Sequence, residues 1–236
     1  MDYVANNQQY RAFSFQKALV FLGLVLMSLA ALVVYKNSGS GKIQYPEILQ
    51  EVVLREPKAL QAFTLVDHQN NSFGLEQFTG SWSFLVFGYT QCPDICPATL
   101  SQLGNLYKIL VNKKIAGIEE VNKVTAPKFI FVSVDPARDT VNVLNEYIRY
   151  FNEEFVAVTG GLQDLEAFED QFNVFHQYDE PNSEGHYAVT HSAEIFLIDP
   201  TASIVAKFSP PISTQKVTKQ YQELLNYFPL KHNQIQ

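Results

Sequence analysis

The sequence predicts an α/β domain, a parallel-rich sheet covered by helices, set behind an apolar N-terminal segment. Three observations carry this expectation. Short apolar runs rich in aromatic residues alternate with segments of helical periodicity from about Ala62 onward, and such alternation builds a sheet with helices packed on it. Eighteen uncharged residues separate Lys17 from Lys36. The length, 236 residues, allows one large domain plus an appendage.

The N-terminal part divides into a short cytosolic tail (1–17), a single transmembrane helix (18–35) and a tether with a connecting arm (36–61). At about 1.5 Å per residue, the run 18–35 just spans a hydrocarbon core. Phe13, Phe15 and Tyr35 suit the membrane interface. A buried core helix would need polar interruptions that the run lacks. A cleaved signal peptide is the competing reading, since Ser28–Ala31 (SLAA) resembles a cleavage site. The run exceeds the usual signal core of about 7–15 residues, which favours an uncleaved anchor. Arg11 and Lys17 on one side nearly balance Lys36 and Lys42 on the other. A short tail on one side and a whole domain on the other place the domain outside the cytosol, in an oxidising or redox-active compartment. A bacterial inner membrane with the domain in the periplasm fits, with the mitochondrial inner membrane as the alternative. Asn37–Lys42 (NSGSGK) reads as flexible linker, and 43–57 as a polar arm.

The remainder, 62–236, reads as one domain. Ala62–Phe78 is an opening hairpin with its turn at His68–Asn71. Trp82–Thr90 is a continuous apolar run, like a strand buried on both faces. A helix follows, with Leu100, Leu103, Leu106, Tyr107, Leu110 and Val111 at helical spacing. Lys128–Pro136 is a second buried strand. The next helix is capped by Asp139 or Thr140 and shows Val141, Leu144 and Ile148 on one face. Phe155–Gly160 is a short strand and Leu162–Phe175 a helix. His176–Thr190 reads as a long polar loop. His191–Pro210 forms strand, turn (Asp199–Ala202) and strand, and a helix capped by Ser213 or Thr214 closes the chain. Hairpin, β, α, β, α, β, α, β-hairpin, α is the order of a thioredoxin-like domain with an inserted strand.

Charge excludes one class of function. With 17 basic and 24 acidic side chains the net charge is −7, and no basic run supplies the face that nucleic acid requires. The chain has two cysteines, Cys92 and Cys96, separated by three residues. A disulfide between them would close a very small loop and remove little entropy from the unfolded chain, so a structural bridge is a poor reading. Both fall between the end of a central strand and the start of a helix, the edge where open α/β sheets place their chemistry. The helix N-terminus there is expected to lower the thiol pKa values. Pro93 and Pro97 stiffen the loop. CxxxC is wider than the CxxC of thiol oxidoreductases. It can still close a disulfide, and it also suits two sulfurs converging on Cu(I), or on zinc with further ligands. Among the five histidines, His68 and His232 read as solvated, and His176 and His186 belong to the polar loop. His191 stands before the run Ala193–Pro200, where thioredoxin-like folds turn a loop towards the active-site cysteines. That makes it the candidate third ligand.

Three motifs then show a resemblance. Gly88–Pro97 (GYTQCPDICP) resembles GYTHCPDVCP, Ser133–Thr140 (SVDPARDT) resembles SVDPERDT, and Thr190–Pro200 (THSAEIFLIDP) resembles DHS…YLIDP. Together they are similar to the Sco/SenC family over about Phe63 to Phe228. The resemblance implies a thioredoxin-like fold and copper held by Cys92, Cys96 and His191, as Cu(I), with Cu(II) a second candidate. It also implies delivery of copper to the CuA centre of cytochrome c oxidase subunit II, with thiol–disulfide chemistry at the same cysteines. Another copper chaperone or a thioredoxin-like reductant would be a further partner. Such a protein transfers metal and is not expected to be an enzyme, unless the cysteine pair acts as a thiol–disulfide reductase. Gln91 stands where the family commonly has histidine, and Thr190 where it has aspartate. Asp94, Asp135 and Arg138 lie on the same sheet edge and are candidates for orienting the ligands or docking a partner. A capped loop with a local ion pair is the competing reading of Asp135 and Arg138.

Overall fold

The computed structural model describes residues 17, 19–33, 45–113 and 126–227. The chain divides into two compact units, Met1–Tyr45 and Pro46–Gln236. In the first, residues 19–33 form a helix (α1) whose apolar side chains are exposed. No helix among the described residues is long and apolar enough to cross a membrane. Residues 18, 34 and 35 of the expected span lie outside the described residues, as do 1–16 of the tail and the linker 36–44.

The second unit contains α2 (Glu47–Gln50), β1 (Val53–Ala59), β2 (Thr64–Asp67), β3 (Ser72–Gly74), a 3-10 turn (Leu75–Phe78), β4 (Ser83–Gly88), α3 (Ile95–Lys113), β5 (Lys128–Ser133), α4 (Val141–Phe151), β6 (Val156–Thr159), α5 (Leu162–Asp170), β7 (His176–Tyr178), β8 (Val189–His191), β9 (Ile195–Ile198), β10 (Ser203–Phe208) and α6 (Thr214–Tyr227). Eight strands form one sheet in the order β1-β10-β9-β4-β5-β6-β2-β3. Among the described residues, only β4–β5 and β5–β6 pair in parallel. The other five pairings in this sheet are antiparallel: β2–β3 and β9–β10 are hairpins, and β1–β10, β2–β6 and β4–β9 join strands far apart in the chain. The sheet is therefore less parallel than the alternation of elements suggested, within the expected thioredoxin-like fold.

The middle strands are buried on both faces, as their unbroken apolar sequences require. Side chains alternate across β4. Phe84 points to one face and stacks on Phe129 at 5.1 Å, below Tyr221 of α6. Phe87 points to the other and meets Phe168 of α5, Phe172 and Phe196 of β9. Two aromatic layers thus hold the sheet, and β4 ends rigidly beside the cysteine loop.

Four local differences from the sequence reading have physical causes. Val53–Ala59, read as part of a polar arm, is an edge strand paired with β10. Its side chains are mostly exposed, so it carries no apolar alternation, and Pro57 is tolerated because an edge strand needs fewer N–H donors. His68, read as solvated, is buried, and its Nδ1 accepts the Ala157 N–H at 3.2 Å. His232 lies outside the described residues. Helix α5 ends at Asp170 rather than Phe175, and Asn173 turns the chain at φ +53°. The expected loop from His176 instead holds a two-stranded ribbon, β7–β8, separate from the main sheet.

Candidate metal centre

Strand β4 stops at Gly88 and α3 begins at Ile95, so Cys96 lies in the first turn of the helix and Cys92 just before it. The loop folds back on itself. Cys92 N–H donates to Tyr89 O at 3.3 Å, and Cys96 N–H points at Cys92 Sγ at 3.4 Å. The helix N-terminus thus directs a free backbone donor at one of the sulfurs. Gly88 makes room for the other: a Cβ there would stand 2.9 Å from Cys96 Sγ and 2.6 Å from the Phe131 ring. Asp139 holds the loop from below. Its carboxylate accepts the Thr90 N–H (3.0 Å), the Thr90 hydroxyl (2.5 Å) and the Ser133 hydroxyl (2.6 Å).

His191 arrives on β8, 95 residues from Cys96 in the chain, with Nε2 3.4 Å from Cys96 Sγ. Its Nδ1 lies 2.8 Å from Ser192 O. Donation to that carbonyl places the ring proton on Nδ1 and turns the Nε2 lone pair to the sulfurs. The Tyr89 ring meets the imidazole edge-on at 5.8 Å. The donor atoms of Cys92, Cys96 and His191 all lie within 4.8 Å of one another. Bonds of about 2.0–2.3 Å to one ion set three trigonal donors roughly 3.5–4.0 Å apart, so a small contraction suffices to close on a cation.

Both thiols are free and buried. Burial, with the contact to Cys92, pushes the Cys96 thiol well above its ordinary range. This is opposite to the lowering expected from the helix N-terminus, because desolvation of the charged form outweighs the dipole. Burial likewise lowers the His191 pKa, against the Ser192 hydrogen bond that raises it, so the imidazole is neutral and able to ligate. Two sulfurs and one neutral imidazole are a soft donor set, and two thiols within one helical turn are also a dithiol that can close.

The other sequence candidates separate. Asp94 is exposed and its side chain makes no polar contact among the described residues; its carbonyl accepts from Ala98 N–H at 3.2 Å. Asp135 is fully buried and pairs with Arg138 Nε. Arg138 Nη1 donates to Tyr187 O at 2.9 Å and to Gln91 Oε1 at 3.2 Å. Gln91 is therefore engaged beside the cysteine loop, whereas Thr190 is an exposed position of β8. Sequence reasoning missed Gly88, the Thr90–Asp139–Ser133 anchor and Tyr187. Asp139 was legible only as a helix cap, and the cap is in fact Thr140.

The SCO1/SenC family model matches residues 53–226. The chain belongs to the SCO1/SenC family. This SCO1/SenC protein is 32% identical over 160 residues to a SCO2-like protein of Rickettsia prowazekii, covering 67% of this chain and 73% of that protein. The crystal structure of yeast Sco1 with copper bound superposes at a TM-score of 0.64 and 27% identity, covering 76% of this chain and 96% of that one. Apo Sco1 from Thermus thermophilus, a solution structure, matches at 0.63 and 30% identity, over 77% of this SCO1/SenC chain and 99% of its own.

Proposed function

We propose that this chain is a membrane-anchored copper chaperone that takes Cu(I) on Cys92, Cys96 and His191 and delivers it to the CuA site of cytochrome c oxidase subunit II. The observation that carries the reading is the meeting of two sulfurs and one imidazole nitrogen within 4.8 Å. The copper-bound yeast relative supports the choice of metal, and the family resemblance supports the acceptor. Loading Cu(I) expels the Cys96 proton, since the thiol is protonated at neutral pH and the thiolate is the ligand. The uncharged run 18–35 serves as the anchor, with the domain in the periplasm. Tethering raises the effective concentration of the domain at a membrane-bound acceptor. A further partner is another copper chaperone or a thioredoxin-like reductant.

The test is copper titration of the reduced soluble domain. One Cu(I) per chain is expected, with sulfur and nitrogen neighbours in X-ray absorption. His191→Ala should remove the nitrogen signal and weaken binding by about tenfold or more, the scale of one lost ligand interaction of about 1.4 kcal/mol. Unchanged affinity in that variant refutes the three-donor site.

A second reading rests on the free, adjacent thiols. As a thiol–disulfide reductase, Cys92 would attack and Cys96 would resolve. Robust insulin reduction by the copper-free domain would favour it.

A further inference from the structure

The two halves of the site reach each other without sharing a sheet. Among the described residues, β8, which brings His191, pairs with β7 alone and has no ladder to the eight-stranded sheet. The position of the imidazole therefore depends on the three-residue link from β8 to β9 and on the contacts that seat the ribbon. One residue touches both the segment leading into β8 and the cysteine loop. Arg138 pairs through Nε with the buried Asp135. Its Nη1 donates to the carbonyl of Tyr187, two residues before β8, and to Gln91, the neighbour of Cys92. Its guanidinium face lies 3.6 Å from the centre of the Tyr187 ring and 5.5 Å from that of Tyr89, the ring that abuts His191. Tyr187 in turn donates its hydroxyl to Asp135 Oδ1 at 3.0 Å.

We propose that Arg138 is a positioning residue that staples the strand carrying His191 to the loop carrying Cys92, so that the imidazole stands at the sulfurs before any cation arrives. The proposal rests on the copper reading for what the site receives, whereas the staple itself is testable in the metal-free protein. Arginine suits the role because a planar fork can bond a carboxylate, a carbonyl and an amide together while stacking on an aromatic ring. A lysine ammonium is a point charge and cannot hold all four. The other strand of the ribbon has separate anchors. His176 bonds Glu169 at 2.7 Å and Tyr178 donates to Val134 O at 2.8 Å. Losing Arg138 should thus loosen β8, at a cost in stability from leaving the buried Asp135 carboxylate with the Tyr187 hydroxyl but without its guanidinium.

The experiment compares wild type with Arg138→Met, Arg138→Lys and, should the first variant fold poorly, Tyr187→Ala, which removes the stacked ring and keeps the backbone carbonyl. In the copper-free, reduced domain, the NMR cross-peaks between the Tyr89 and His191 rings are expected to fall several-fold in every variant, with the amide spectrum of β4, β5 and β9 retained. Cu(I) competition should give Arg138→Met an affinity close to that of His191→Ala, and the double variant no further loss, since both remove the same contribution. Persistence of the ring cross-peaks in Arg138→Met and Tyr187→Ala, additive losses in the double variant, or full restoration by lysine overturns the staple. Failure of the wild type to take copper would overturn the chaperone reading and leave the ring cross-peak test standing.

Discussion

Cys96 Sγ faces the His191 imidazole on one side and the bare backbone of Gly88 on another. The empty space at Gly88 is what lets its sulfur sit at the end of a central strand. In Gly88→Ala, either Cys96 Sγ or the Phe131 ring must shift inside a packed core. The expected cost is about 1–3 kcal/mol of stability, as for other overpacked sites. Copper affinity should fall as well, because the displaced atom is a donor. Urea denaturation and Cu(I) competition on the same sample check both. Asp139 supplies a pH prediction. Burial pushes its carboxyl up, against the hydrogen bonds from Ser133 and Thr90 that lower it. The folded state therefore holds this proton more tightly than the unfolded chain. The resulting stabilisation is complete below the ordinary carboxylate value of about 3.9 and is lost as pH rises through the raised folded value. Asp139→Asn should flatten that part of the stability curve for the copper-free domain. Parallel curves for variant and wild type from pH 3.5 to 7 would contradict this.

The ribbon β7–β8 is the element on which the site turns, and it is short: three residues in each strand. His176 stands opposite His191 in the ladder and is bonded to Glu169, a buried carboxylate of α5 whose Oε1 has no hydrogen-bond partner among the described residues. Removing the imidazole leaves that carboxylate without a partner in the interior. His176→Ala should destabilise the domain by about 3 kcal/mol, the low end for breaking a buried pair, whereas Glu169→Gln, which keeps a hydrogen bond, should cost much less. Thermal or urea unfolding distinguishes the two, and equal losses would mean that the pair contributes little. From sequence this segment is a polar loop. Three-residue strands carry too little alternation to read, and the partner of each is another segment of equally polar chain.

At the scale of the whole molecule, the sheet closes only when β1 covers β10. A fragment starting at Ala62, the boundary that apolar patterning suggests, would lack α2 and β1 and leave β10 as an open edge. A fragment starting at Pro46, where the second compact unit begins, should be monomeric and show a single cooperative unfolding transition. The Ala62 fragment should aggregate or unfold at lower denaturant. Size-exclusion chromatography and urea titration compare them, and equal behaviour would show that β1 is dispensable. The tight interior strands were legible because β4, β5 and β9 are apolar on both faces and need no partner to be recognised. The edge strand was not, because its pairing is through backbone groups that sequence does not vary.

By itself, the sequence determined the order of elements, the placing of both cysteines at a strand-to-helix junction, and His191 as the third candidate donor. The first two follow from local patterning, since period and turn chemistry are properties of neighbouring residues, and the third from where thioredoxin-like folds turn the loop before that strand. Tertiary structure alone decided that the three donors meet, that desolvation raises the Cys96 thiol in opposition to the helix N-terminus, and that Gly88, Asp139 and Arg138 hold the arrangement. Each of those depends on atoms from segments far apart in the chain, and on how little water reaches the place where they come together.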